Sequence, residues 1–147
     1  MLKNASTLWT DRDQPASGAA GLVARAKGNY RRLLATLYSE GRYGGYISIR
    51  IDGREAADLA PDASFSEPAA VVVTVDPGPL FHFGAVSIEQ SAATEASPST
   101  DPQGYGLTPG EPAKSARIIA AADRVVEAWR SSGYPFAQIS EKDVRAD

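Results

Sequence analysis

Residues 46–53 read Tyr46-Ile47-Ser48-Ile49-Arg50-Ile51-Asp52-Gly53. Ile47, Ile49 and Ile51 alternate with Ser48 and Arg50, and a period of two puts the isoleucines on one face of an extended chain. The stretch is a strand with one buried face, closed by Asp52-Gly53. Upstream, Leu22, Ala26, Tyr30, Leu33, Leu34 and Leu37 recur at steps of three and four, the stripe of an amphipathic helix. Ser17-Gly18, after Pro15, caps that helix, which runs to about Glu40. Gly41 is placed to end it in a left-handed conformation. A long helix feeding a one-faced strand makes the chain α+β. Leu33, Leu37 and Val73 are the expected core.

Downstream of Gly53 a loop runs to about Pro68, with room for a short helical turn around Arg54-Glu55-Ala56-Ala57. Ala70-Val71-Val72-Val73-Thr74-Val75 is a continuous β-branched run, which suits a central strand buried on both faces. That placement leaves Tyr46–Ile51 at the sheet edge. Asp76-Pro77-Gly78-Pro79 breaks the chain, and Phe81–Ile88 reads as a further strand. Residues 91–110, rich in Ala, Ser, Thr, Pro and Gly, read as a poorly ordered loop. A second helix spans about Pro112 to Ser131, with Ile118, Ala122, Val125, Val126 and Trp129 on one side and Gly133 at its end. Phe136–Val144 reads as a last strand. At the other terminus, Leu2, Ala5 and Leu8 have helical spacing, and Met1 reads as an initiator set before an excised segment. A shift of 92 positions lays Leu33, Leu34, Leu37 and Gly41 on Val125, Val126, Trp129 and Gly133. Two small α+β units, 1–79 and 80–147, follow from that repeat.

Composition narrows the chemistry. The 147 residues are 43% hydrophobic and 22% charged, ordinary for a globular chain. A net charge of −3 argues against nucleic acid as the main partner. With no cysteine and one histidine, thiol nucleophiles, zinc–thiolate sites and histidine pairs are excluded. No apolar run approaches the roughly 20 residues of a membrane-spanning helix.

Two stretches carry a resemblance. Leu37-Tyr38-Ser39-Glu40-Gly41-Arg42-Tyr43, with the Ile-rich strand after it, resembles the helix-to-strand junction of POTRA (polypeptide-transport-associated) domains. Val73-Thr74-Val75-Asp76-Pro77-Gly78-Pro79-Leu80-Phe81-His82-Phe83-Gly84-Ala85-Val86-Ser87-Ile88 is similar to the junction between consecutive POTRA units. Asp52-Gly53-Arg54-Glu55-Ala56-Ala57 and Val126-Glu127-Ala128-Trp129-Arg130 narrow the likeness to the TamA-like group, the outer-membrane component of the translocation and assembly module. The resemblance implies tandem units of β-α-α-β-β order, the first without its opening strand and the second without its closing strand. It implies a periplasmic, non-enzymatic scaffold without cofactors, in a parent chain that continues into a membrane barrel. Its partners would be unfolded outer-membrane clients and an inner-membrane-anchored protein. The implied mechanism is strand addition, with Tyr46, Ile47, Ser48, Ile49, Arg50 and Ile51 as the expected edge.

Other residues admit a second reading. Arg25, Lys27, Arg31 and Arg32 can meet an acidic partner or lipid headgroups, although a solvated helix face explains them as well. Glu40 with Asp52 or Glu55, and Asp123 with Glu127, can be written as acid–base pairs; Tyr30, Tyr38 and Tyr43 can line a groove. Those groups define the rival function, a small hydrolase or ligand-binding domain. Gly41, Gly44 and Gly45 follow a helix and do not precede one, which argues against a phosphate loop. His82, between Phe81 and Phe83, is expected to face away from both rings.

Overall fold

The computed structural model describes residues 1–92 and 94–146. The chain is α+β and separates into two compact units, Met1–Tyr38 with Gly44–Pro79, and Ser39–Tyr43 with Leu80–Asp147. The short segment after the long helix thus belongs with the second unit.

The first unit opens with two four-residue helical turns, α1 (Leu2–Ala5) and α2 (Thr7–Thr10), interrupted by extended Ser6. The long helix α3 covers Gly18–Ser39. Its buried positions, Val23, Ala26, Asn29, Leu33 and Leu37, are spaced by three and four, so one stripe faces inward. Gly41 follows with φ +81°, as expected of a residue that stops a helix.

The sheet has three antiparallel strands in the order β2 (Arg54–Glu55), β1 (Tyr46–Ile51), β3 (Val71–Asp76). Six residue pairs join β1 to β3, from Tyr46 with Asp76 to Ile51 with Val71, and two join β1 to β2. Ile49 and Ile51 are fully buried; with Val23, Ala26, Ala56 and Leu59 they form the core, and Ile47, Val71, Val73 and Phe65 pack around it. The turn that decides strand order is Asp52-Gly53, with φ +48° and +81°. Two successive positive φ values make the two-residue hairpin turn that matches strand twist. The chain therefore doubles straight back from Ile51 to Arg54, and β2 takes the place beside β1. The Asp52 carboxylate then pins the returning loop. It accepts from Ser66 N (2.8 Å), Ser66 Oγ (2.9 Å) and Ala70 N (2.8 Å).

Strand order corrects one expectation. Tyr46–Ile51 is the central strand, and Val71–Asp76 is the edge. The valine run is not buried on both faces: Val71, Val73 and Val75 are half-buried, whereas Val72, Thr74 and Asp76 are exposed. Valine suits a half-buried pleat as well as a fully buried one, so its composition did not discriminate.

The second unit is built around α4 (Ser115–Ser131), which begins three residues after Pro112. Ile118, Ala122, Val125, Val126 and Trp129 are half-buried, and Ala121 is buried. Trp129 meets Tyr134 edge-on at 5.0 Å just past Gly133 (φ +96°). The strand expected over Phe81–Ile88 is reduced to one bridge, His82 with Pro112. Phe83 N donates to Glu111 O (2.9 Å) and Ala113 N to Phe81 O (2.9 Å) on either side of that bridge, and no named strand forms from the pairing. The strand expected over Phe136–Val144 is irregular, with Phe136, Ile139 and Val144 exposed. A helix followed by a glycine at positive φ is present in both copies of the repeat; the strand after it is present only in the first copy. The loop 91–110 contains order where none was expected. Residues Pro102–Tyr105 form a 3-10 turn capped by the Asp101 carboxylate, and Leu107 is buried.

Candidate functional site

Hydrogen-bond parity identifies which backbone groups the sheet leaves open. Asp52 N donates to Ala70 O at 2.8 Å, one pair beyond the β1–β3 register. In an antiparallel ladder the bonded pairs alternate, so Arg50, Ser48 and Tyr46 of β1 bond to Val72, Thr74 and Asp76. The N–H and C=O groups of Val71, Val73 and Val75 then point away from β1. Among the described residues no other strand lies on that side. A six-residue edge results, with no internal proline and no lysine.

The opposite side of the sheet is closed differently. The N–H and C=O of Ile47, Ile49 and Ile51 face away from β3, and β2 covers only the Ile51 end. At Ile49 two side chains take over. Tyr30 reaches in from α3, where its hydroxyl pairs with Glu55 Oε1, lies 3.2 Å from Ile49 O and accepts from Ile49 N at 3.3 Å. Glu55, opposite Arg50 in the register, takes Ile49 N at 3.2 Å and Ser48 Oγ at 2.7 Å. Burial, then the hydrogen bond to Glu55, pushes the Tyr30 hydroxyl up to about 12. The same hydroxyl, followed by Ser48, holds the Glu55 carboxyl below the usual range. Side chains thus stand where a strand would otherwise add.

The other residues singled out in the sequence are mostly structural. Arg25 Nη1 donates to Gln14 O (3.2 Å) and Asp11 O (3.4 Å), and Lys27 Nζ to Leu59 O (2.8 Å). These bonds tie α3 to flanking chain; Lys27, Arg31 and Arg32 are exposed, beside Gly28 on a shallow surface. Asp52 is occupied by Ser66 and Ala70; backbone N–H donation from Ala70, then from Ser66, holds its carboxyl below the ordinary range. Glu40 pairs with Lys114 at 3.2 Å. Asp123 and Glu127 lie on the exposed side of α4. Tyr43 donates to Ala113 O and meets Phe81 edge-on at 5.7 Å. Tyr38 is half-buried on α3. Gly45 serves close packing, since a Cβ there would stand 2.5 Å from Leu37 Cδ1. His82 is exposed.

Comparison with protein-family models, curated proteins and solved structures finds no match. Functional reading therefore rests on geometry. Among the described residues no cluster of His, Cys, Asp or Glu could hold a metal, and no helix is long and apolar enough to cross a membrane. The distinctive feature is the open edge of β3, which sequence reasoning missed. Its signal was Asp52-Gly53 followed by Arg54-Glu55: a two-residue hairpin there places the next strand beside Tyr46–Ile51 and displaces Val71–Asp76 to the rim.

Proposed function

We propose that the chain is a non-enzymatic scaffold that takes up extended polypeptides by strand addition along Val71–Asp76. The observation that carries this reading is the row of outward backbone groups on Val71, Val73 and Val75. Unpaired groups on a straight strand are a template for another chain. Main-chain pairing supplies affinity, and the alternating side chains supply a mild preference for apolar, β-branched partners. Exposed Val72 and Thr74 offer such a partner two small neighbours on the outer face.

The resemblance to POTRA domains extends the proposal. What supports it is coarse: in the first unit helices precede an antiparallel sheet, as in β-α-α-β-β after the opening strand, although the short β2 stands between the two longer strands in the chain. On that reading the clients are unfolded outer-membrane polypeptides, the compartment is the periplasm, and the units form a tandem array. A larger chain that continues into a membrane barrel and an inner-membrane-anchored partner complete the proposal. The working surface moves from Tyr46–Ile51 to Val71–Asp76, because the former has a strand on one side and Tyr30 with Glu55 on the other.

The test is titration with peptides copied from strands of an outer-membrane barrel, followed by amide chemical shifts. Shifts should centre on Val71, Val73 and Val75. Val73→Pro removes one outward donor without breaking a β1–β3 bond, which edge strands tolerate. Binding should fall at least about tenfold while the helical spectrum persists. Val75→Pro, outward in the same way, serves if the first variant unfolds. Equal binding by a folded proline variant, or no peptide binding at all, overturns the proposal.

A further inference from the structure

The β3 edge is complementary to itself. Its outward residues, Val71, Val73 and Val75, are placed symmetrically about Val73. A two-fold axis through Val73 pairs Val71 with Val75 of a second copy, Val73 with Val73, and Val75 with Val71. In an antiparallel ladder each such pair exchanges two bonds, about six in all. The side chains agree with the backbone. Val72 comes opposite Thr74 of the copy, and Asp76, the one charge on the strand, comes opposite Ala70, so no like charges are opposed. Val72, 57% exposed, gains a cross-strand neighbour. The edge also lacks the devices that keep strands apart, namely lysine, internal proline or a bulge.

We infer that two copies of this chain pair antiparallel through β3, joining two three-stranded sheets into one of six strands. Growth stops at two. The far side of each sheet offers only the two-residue β2, and Tyr30 and Glu55 occupy the backbone of Ile49 beyond it. An isologous contact of this kind closes as a dimer and does not run on as a fibre. The contact is a single strand wide, below the roughly 1,200 Å² of stable interfaces, so the dimer is weak and concentration-dependent. This inference needs only the open edge and holds whether or not a client binds there.

Sedimentation from about 10 µM to about 1 mM should show reversible dimerisation without larger species. The double variant Val72→Lys with Thr74→Lys changes only the exposed outer face and sets lysines opposite lysines; dimerisation should weaken at least about tenfold. Val72→Glu with Thr74→Glu should behave alike, and an equimolar mixture of the two should regain the wild-type association. A wild-type chain that stays monomeric to about 1 mM overturns the inference. So does a folded lysine variant that dimerises unchanged, or a mixture that stays apart. Should the charge variants unfold, amide exchange of the wild type decides. Protection of Val71, Val73 and Val75 must rise with concentration, and its absence overturns the pairing. No peptide enters these measurements, so loss of client binding and loss of the dimer are separable results.

Discussion

Tyr30→Phe removes one oxygen from the group that closes the outer side of β1. The ring stays half-buried against the core, so packing changes little. Ile49 N keeps Glu55 Oε1 at 3.2 Å, but the Glu55 carboxylate loses the proton that the hydroxyl donates to it, and Ile49 N loses one of its two acceptors. A hydrogen bond to a charged group contributes about 1.5–3 kcal/mol, so a loss of about 2 kcal/mol is expected. For a unit of this size that lowers the thermal midpoint by about 8–16 °C. Urea and thermal denaturation followed by circular dichroism measure both. The variant carries a second signature at alkaline pH. Folded Tyr30 keeps its proton to about 12, whereas the unfolded residue releases it near 10.0. Its stabilising contribution is therefore full below the unfolded value and is lost as pH rises through the folded one. The phenylalanine variant should lose this part of the alkaline decline. Stability within about 0.3 kcal/mol of wild type, with an unchanged alkaline limb, would refute the closing role of the hydroxyl.

Leu37, 2% exposed with Cδ1 against Gly45, should cost about 2–5 kcal/mol on change to Ala, read from urea midpoints. Asp52→Asn keeps a side chain suited to positive φ but removes a carboxyl whose affinity for protons is lowered by Ala70 and Ser66. Wild-type stability from this group is present above the ordinary carboxylate range and is lost as pH falls through the folded value. The difference between the two proteins should therefore shrink as urea midpoints are taken from neutral to acid pH. A pH-independent gap refutes it. Gly78→Ala places Cβ 2.8 Å from Gly44 O at φ +63°, and should cost at least about 2 kcal/mol. Gly28→Ala, exposed inside α3 with nothing within 4 Å, should instead stabilise by about 0.5–1 kcal/mol in the same assay.

The sequence by itself determined the elements whose signal is local. Leu33 and Leu37 mark the buried stripe of α3 because a helix repeats every 3.6 residues, whatever it packs against. Ile47, Ile49 and Ile51 mark the inward face of β1 for the corresponding reason at period two. Gly41 and Gly133 mark helix ends because positive φ costs glycine least. What only the tertiary structure decided was which strand stands beside which. Val71–Asp76 has the same composition at an edge as at a centre. Its place followed from the Asp52-Gly53 turn, the Arg50–Glu55 pair and the reach of Tyr30 to Ile49. The strands expected over Phe81–Ile88 and Phe136–Val144 failed for a related reason. A strand is stable only with a partner that supplies donors and acceptors along its length. The first finds a partner only around the His82–Pro112 bridge, and among the described residues nothing pairs with the second. Strand order is a property of long-range pairing, and the open edge on which the proposed function rests exists only once that order is set.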